Sequence, residues 1–163
     1  MTAASAPHGP NSPGLGTPPG GSNLLFSVWL VSRSTGDLLD SALASAGLTA
    51  DEFGIYSVLA GTPGMTPTEL ARWMAARPTT VSSHVQRMER RGHLERERNA
   101  EDRRSHVLRL TPSGRQAHAR AASLFTPALD LVRSRLGGEE HEVHSALLRL
   151  RTVLDEVRAA FRN

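Results

Sequence analysis

Two helix starts and one helix stop lie close together in the stretch TPTELARWMAARPTTVSSHVQRMERRG, residues 66–92. Thr66 is followed at once by proline and, three positions on, by Glu69, which is the spacing of a capping box with proline in the first helical turn. Pro78 marks a second start only a few residues later, and Gly92 ends the second run. Two short helices joined by a tight turn are typical of a helix-turn-helix motif.

Helix signals also precede this motif. Apolar residues between Ser22 and Ala46 follow helical spacing, and a glycine ends that run. A second capping box, Thr49 with Glu52, then satisfies two backbone donors at the start of a helix that ends at Gly61. The sequence therefore predicts two helices before the helix-turn-helix, the first of them long.

The pattern changes after Gly92. Partial alternation in HLERER and SHVLRLT, on either side of the turn-forming NAEDRR, predicts a β-hairpin that would be a wing. Thr111 with a following proline starts a long helix that reaches about Leu136, and a last helix runs from Glu139 to Phe161. The hairpin thus separates the short helices from two long ones.

These elements predict a mainly α fold with a small β-hairpin wing, that is, a winged helix-turn-helix plus long dimerisation helices. The apolar stripe of the last helix continues for about six turns and needs a partner, most simply the same helices of a second subunit. We expect a disordered tail at residues 1–21, which are rich in Pro, Gly and Ser, and a winged helix-turn-helix domain at 49–114. Residues 22–48 and 115–163 would form the helical dimerisation region.

Several classes of protein are excluded by the composition. The chain of 163 residues has no cysteine, so it has no disulfide, thiolate nucleophile or cysteine-bound zinc. No apolar run reaches the roughly 18 residues of a membrane span, and no signal peptide precedes the domain, so we expect a cytoplasmic protein. Neither a Ser-His-Asp grouping nor a phosphate-cradling loop is recognisable, so we predict no enzyme and no cofactor.

The segment HEVH, residues 141–144, raises the alternative of a metal site. His141 and His144 are one helical turn apart, but the segment is one residue short of the H-E-x-x-H pattern that places two ligands around a general base. Surface histidines near a helix start are the simpler interpretation, and we predict no metal here.

Positive charge is concentrated in one part of the chain. Residues 72–115 hold 11 arginines and 5 acidic residues, a local net charge of +6, whereas the whole chain carries +3. Every basic side chain other than histidine is an arginine. A local excess of this size points to a polyanionic partner, although charge runs often only face water.

The helix from Pro78 has one apolar and one polar face. At 100° per residue, Val81, Val85 and Met88 fall on one side. The other side, its flanks and the residue just before the helix give the candidate DNA-binding set: Arg77, Thr79, Thr80, Ser82, Ser83, Gln86, Arg87 and Arg90. Short hydrogen-bonding side chains suit base edges and long cations suit phosphates, so this face fits a major groove. A merely solvated surface is the alternative, which the neighbouring basic hairpin disfavours.

The stretch TELARWMAARPTTVSSHVQRMERRGHLERERNAEDRRSHVLRLTPSG resembles the winged helix-turn-helix core of the MarR (multiple antibiotic resistance regulator) family of bacterial transcription factors. The similarity covers roughly residues 49–115, and its most specific part is DRRSHVLRLTPSG. It implies that Asp102 supports the wing by pairing with arginine side chains. It also implies that Arg104, or failing that Arg103, reaches into the minor groove, where a narrow groove attracts guanidinium groups. The weaker candidates, which cross-strand pairs with Glu95 and Glu97 would equally explain, are Arg96, Arg98 and Arg109.

The same resemblance implies a homodimer that binds a pseudo-palindromic site on double-stranded DNA, most often as a repressor, and that a small anionic or aromatic effector releases. Residues available for an effector pocket are Phe26, Trp29, Arg33, Phe53, Tyr56 and Phe125. Aromatic residues at helical spacing are also ordinary core, so both interpretations stay open. Two other functions remain as alternatives: an activator, or a winged-helix module that binds proteins without specific DNA binding.

Overall fold

The computed structural model describes residues 23–100, 102 and 104–161. Two compact units are distinguished, one ending at Gly36 and the other beginning at Asp37. The predicted tail at residues 1–21 lies outside the described residues, as does Arg103. The elements in chain order are α1 (Leu24–Leu43), α2 (Ala50–Gly61), α3 (Pro67–Trp73), α4 (Pro78–Arg90), β1 (Leu94–Arg98), β2 (His106–Leu110), α5 (Pro112–Leu136) and α6 (Glu140–Ala160).

The described part of the first unit is the beginning of α1. The side-chain oxygen of Asn23 accepts a hydrogen bond from the backbone N–H of Phe26 at 3.0 Å, which satisfies one of the free donors at the helix start. The rings of Phe26 and Trp29 stack with their centroids 5.7 Å apart. The exposed apolar side chains of this helix segment are Leu24, Leu25, Phe26, Trp29, Leu30 and Val31. Such a continuous apolar surface is typical of an interaction site.

The predicted helix starts in the second unit are confirmed. Thr49 and Thr66 each accept a hydrogen bond from the backbone N–H three residues on, and the carboxylates of Glu52 and Glu69 complete both capping boxes. Thr111 caps α5 with its hydroxyl in the same way. Each start fixes where a helix begins, and so the short helices α3 and α4 stay separate.

One apolar core holds α2, α3, α4 and the hairpin together. Its largest fully buried side chains are Tyr56, Leu43, Ile55, Leu59, Leu70, Met88, Leu108, Val81 and Val85. The apolar face predicted for α4 is confirmed, since Val81, Val85 and Met88 are all buried. Burial of these side chains fixes which face of α4 is left for solvent.

The turn between α3 and α4 is tight. The backbone N–H of Ala76 donates to the carbonyl of Ala71 at 3.0 Å, and Ala75 has a positive φ of 51°. Residues other than glycine adopt this left-handed conformation infrequently. The predicted helix-turn-helix is therefore present.

The wing is an antiparallel hairpin in which Leu94 pairs with Leu110 and Arg98 with His106. An isolated bridge to Met65 adds a contact that the sequence analysis did not predict, because a single pairing residue leaves no alternating pattern. The backbone N–H of Leu108 donates to the carbonyl of Met65 at 2.8 Å. The segment before α3 and the wing are thus joined by main-chain hydrogen bonds.

The two long C-terminal helices contribute little to this core. In α5 the buried residues end at Ala121, and α6 has none among its described residues. Apolar side chains that are exposed on these helices are Leu124, Leu131, Val132, Val143, Leu147, Leu148, Val153, Val157 and Phe161. Arg151 of α6 contacts α3, where its guanidinium lies 4.5 Å from the ring centroid of Trp73 and donates to that residue's carbonyl.

None of the helices in residues 23–100, 102 and 104–161 has both the length and the hydropathy needed to cross a membrane.

Candidate nucleic-acid interface

The solvent face of α4 carries most of the side chains predicted to bind DNA. The exposed members of that set are Arg77, Thr79, Thr80, Ser82, Ser83, Gln86 and Arg90. The hydroxyl of Ser83 donates to the carbonyl of Thr79 at 3.0 Å and keeps its oxygen available as an acceptor. The helix therefore presents a row of short polar groups flanked by arginines at its two ends.

Arg87 departs from the predicted arrangement. Its Nε donates to Glu52 Oε1 at 3.1 Å, and its Nη2 lies 2.6 Å from Nδ1 of His84, which is buried on the same helix. The helical projection placed Arg87 opposite the core, but a long side chain at the edge of the polar face can turn inward when a buried acceptor lies within reach. Arg87 is thus paired inside the protein while 38% of its side chain stays exposed, and its predicted contact with DNA stays a prediction.

Glu52 is the acceptor that draws Arg87 inward. Only 3% of Glu52 is exposed, and its second oxygen, Oε2, accepts from Nη1 of Arg91 at 3.3 Å and from the backbone N–H of Thr49 at 3.4 Å. Burial raises the pKa of this carboxyl, but hydrogen bonds from Arg87, Thr49 and Arg91 outweigh burial, so its pKa lies below the usual value. Glu52 is thus a buried carboxylate held ionised by two arginines.

Next to this carboxylate, a second polar contact links α2 to His93 in the turn that follows α4. The phenol oxygen of the buried Tyr56 lies 2.7 Å from Nδ1 of His93. Burial, together with the nearby charges of Arg91 and Arg120, lowers the pKa of His93. The tautomer of His93 decides which of the two atoms donates this hydrogen bond, and the bond joins α2 to the chain that follows α4.

The turn of the wing is held by main-chain hydrogen bonds around Asp102. Its side-chain Oδ1 accepts from the backbone N–H of Arg104 at 3.0 Å, and its carbonyl accepts from the backbone N–H and the hydroxyl of Ser105. Asp102 therefore supports the wing through the backbone of the turn, and its pairing with arginine side chains stays a prediction. Arg104 is exposed at this turn. Arg103, the other candidate, lies outside the described residues.

Two of the weaker hairpin candidates are paired with glutamates. Arg96 forms a two-point contact with Glu89 of α4, with Nε 2.8 Å from Oε1. Arg109 Nε lies 2.5 Å from Oε2 of Glu97 across the hairpin. These partly exposed pairs support the interpretation of Arg96 and Arg109 as structural rather than DNA-binding residues.

The segment TPSG, residues 111–114, follows β2, begins α5 and is hydrogen-bonded to the chain after α4. The hydroxyls of Thr111 and Ser113 both donate to the carbonyl of Gly92 at 2.7 Å. A Cβ atom on Gly114 would stand 2.0 Å from the carbonyl oxygen of His93, closer than any side chain tolerates. Only glycine lets the two segments approach this closely.

The residues proposed for an effector pocket divide between the two units. Phe26, Trp29 and Arg33 belong to the first, whereas Phe53, Tyr56 and Phe125 belong to the second. The ring of Phe53 lies 5.4 Å from that of Phe125 and 5.7 Å from that of His118. Tyr56 is part of the core. The pocket therefore stays a prediction.

An open groove of about 470 Å³ lies elsewhere in the second unit, beside α3 and α6. Its lining residues include Glu69, Arg72, Trp73, Arg151 and Asp155, and it contains none of the residues predicted for the effector. As for metals, the described residues contain no group of three or more His, Asp or Glu side chains that could hold an ion, His141 and His144 included.

We expect the fold to lose stability as the pH falls from about 7 to 5. Burial lowers the pKa of His84, of His93 and of His118 below the usual value near 6.5. The unfolded chain then binds more protons than the folded chain below that pH, so acid favours unfolding, and the stabilisation is fully present only above about 6.5. Urea unfolding at pH 7.5, 6.5 and 5.5 measures this; equal free energies of unfolding at all three would contradict it.

The geometry above agrees with what comparison with known proteins finds. The sequence profile of the MarR family matches residues 46–105, which include α2 to α4 and the first strand of the wing. The HTH-type transcriptional repressor Rv2887 of Mycobacterium tuberculosis is 29% identical over 125 residues, which are 77% of this chain and 88% of that protein. Over residues 46–105 the chain is therefore similar to the MarR family, whose matched relatives are transcriptional regulators rather than enzymes.

Solved MarR-family structures extend the likeness beyond the profile. The transcriptional repressor CouR, bound to a 23-mer DNA duplex, superposes with a TM-score of 0.68 at 27% identity, covering 81% of this chain and 92% of that one. The transcriptional regulator MosR of M. tuberculosis, in complex with DNA, superposes with a TM-score of 0.72 at 25% identity. The match covers 84% of this chain and 99% of that one. The winged fold and its long C-terminal helices are therefore those of the MarR family.

Proposed function

We propose that this chain is a homodimeric, sequence-specific DNA-binding repressor of bacterial transcription that acts in the cytoplasm. The observation that carries the proposal is the division of the basic residues around α4 and the wing. Arg87, Arg91, Arg96 and Arg109 are paired with glutamates. Within the described residues, no ion pair engages Arg77, Arg90, Arg98 or Arg104, all of which are exposed.

The unpaired arginines stand where DNA contacts are needed. Arg77 and Arg90 lie at the two ends of α4, and the exposed Thr, Ser and Gln side chains lie between them. A helix of this kind fits the major groove, with the arginines on phosphates and the short side chains on base edges. Arg104 at the turn of the wing suits the negative potential of the adjacent minor groove.

The dependence of binding on salt tests this assignment. The logarithm of the affinity for a duplex should fall steeply with the logarithm of salt concentration, and each lost phosphate contact should flatten the slope by about 0.9. We expect R90Q, which removes one contact from each subunit, to flatten the slope by about 1.8. Fluorescence anisotropy on a labelled duplex measures this, with R149Q on α6 as a control of equal charge. Equal slopes for R90Q and wild type would place Arg90 away from DNA.

The exposed apolar side chains of α1, α5 and α6 support the proposed homodimer. Leu147 and Val157 lie on α6 with about half of each side chain exposed. We expect L147E to convert the dimer to a monomer and to lower operator affinity, because a charge at a buried contact is strongly unfavourable. Sedimentation equilibrium of the full chain gives the mass. A dimeric L147E would remove Leu147 from the interface, and a monomeric wild type would contradict the homodimer.

Release by a small anionic or aromatic effector remains part of the proposal. The groups available for it in the second unit are Phe53 and Phe125, whose rings contact each other. A panel of aromatic carboxylates added to the protein–DNA complex tests it, with release of the labelled duplex as the signal. If no aromatic carboxylate releases the duplex, this class of compound is excluded as the effector.

A further inference from the structure

The inference concerns Glu52, which the capping box alone does not explain. Its carboxylate lies on α2, and both arginines that it binds belong to α4 or to the residue that ends it. Four per cent of the side chain is exposed, against 38% for Arg87. A buried carboxylate is costly unless it stays paired. The two ion pairs therefore hold α2 and α4 together.

Arg87 is held on two sides. Its Nε donates to Glu52 and its Nη2 lies against Nδ1 of His84, so two of its three nitrogens are committed inside the protein. Binding a phosphate through Nε or Nη2 would require Arg87 to give up its contact with Glu52 or with His84. Arg90, one turn along the same helix, has no such restraint among the described residues.

We infer that Glu52 is a positioning residue, which withdraws Arg87 from the DNA backbone and fixes the rotation of α4 so that its Thr, Ser and Gln face meets the bases. The inference rests on the proposed DNA binding and concerns its specificity. Phosphate contacts are the same for every sequence, whereas base contacts distinguish one sequence from another. Glu52 therefore raises the preference for the operator over other DNA by limiting contacts that any duplex offers.

The variant E52Q separates charge from shape. Glutamine keeps an oxygen that can accept the backbone N–H of Thr49 but has no charge to hold Arg87. We expect E52Q to bind unrelated duplex more tightly, with a salt slope steeper by about 1.8 as the freed Arg87 of each subunit gains one phosphate contact. The ratio of operator to non-operator affinity should fall about tenfold or more.

The double variant E52Q/R87Q provides the readout that a merely structural role would not move. If the freed Arg87 causes the steeper salt slope of E52Q, then removing Arg87 as well should return the slope to its wild-type value. If E52Q acts only by a general loss of packing, the slope of the double variant should stay as steep as that of E52Q or become steeper. R87Q alone should lower operator affinity without flattening the slope, in contrast to R90Q, which flattens it by about 1.8.

Each outcome decides one question. A folded E52Q with wild-type slope and wild-type preference overturns the positioning role, as does an R87Q whose slope flattens by about 1.8, because Arg87 would then be a phosphate contact. If E52Q does not fold, as judged by circular dichroism, the slope of R87Q decides alone. Absence of any preference in the wild-type protein is a failure of the proposed function, and the wild-type measurement detects it independently of the variants.

Discussion

Replacing Gly114 by alanine is expected to lower the free energy of unfolding by about 3 kcal/mol. The new Cβ would stand 2.0 Å from the carbonyl oxygen of His93 and 2.9 Å from its carbonyl carbon, and both of these are backbone atoms. Relief of that clash requires the start of α5 to move away from the chain after α4, and forced backbone shifts of this kind typically cost 1–3 kcal/mol. The same movement would disturb the hydrogen bonds of Thr111 and Ser113 to Gly92.

Urea unfolding of G114A followed by circular dichroism measures the effect. The matched control is G61A at the end of α2, where an added Cβ has no neighbour within 4 Å and φ is not positive. We expect G61A to stay within about 0.5 kcal/mol of wild type, as surface changes without special features do. Equal stability of G114A and G61A would contradict the close approach of the TPSG segment to His93.

Replacing Arg104 by alanine is expected to weaken operator binding by about ten- to a hundredfold, or about 1–3 kcal/mol. Arg104 is exposed, and its backbone N–H is fixed by the carboxylate of Asp102 at 3.0 Å, which sets the direction of the turn. A guanidinium presented in this way gains both from phosphate charge and from the potential of a narrow minor groove.

Anisotropy at about 0.15 M salt measures R104A, because non-specific binding is weak there. R149A on α6 is the control, since it removes the same type of side chain from outside the winged domain. A similar loss of operator affinity in R104A and R149A would indicate a general effect of charge. An unchanged affinity for R104A would assign the minor-groove contact to Arg103 or to another residue.

Local chemistry explains why much of the fold was predictable from the sequence. The pairs Thr49 with Glu52 and Thr66 with Glu69 satisfy helix donors within four residues, so their spacing is visible in the chain itself. The apolar face of α4 follows from helical periodicity in the same way. Since Gly92 has a φ of 67°, the end of the second short helix was also marked by a residue type.

Long-range contacts account for what the sequence did not reveal. Glu52 and Arg87 are 35 positions apart, so the capping box identified one role of the carboxylate and could not show that α4 covers it. His84 and His93 belong to no recognisable motif in the sequence, yet one contacts Arg87 and the other contacts Tyr56. These contacts depend on how α2 packs on α4, which no local pattern records.

The TPSG segment has both a local signal, which the sequence shows, and long-range contacts, which it does not. It ends DRRSHVLRLTPSG, the most specific part of the family resemblance, but the reason for its glycine is a close approach to the backbone of His93, which only the three-dimensional arrangement shows. Its two hydroxyls bond a carbonyl about twenty positions earlier in the chain. A motif that looked like a helix start is therefore also the junction between the wing, α4 and α5.

Selection of the purified protein on random-sequence duplex DNA at about 0.15 M salt, followed by sequencing, tests the central proposal most directly. The proposed homodimer predicts enrichment of a pseudo-palindromic consensus with half-sites about one helical turn apart. Enriched sites without two-fold symmetry would contradict the dimeric arrangement. No enrichment in a folded protein would contradict sequence-specific DNA binding itself.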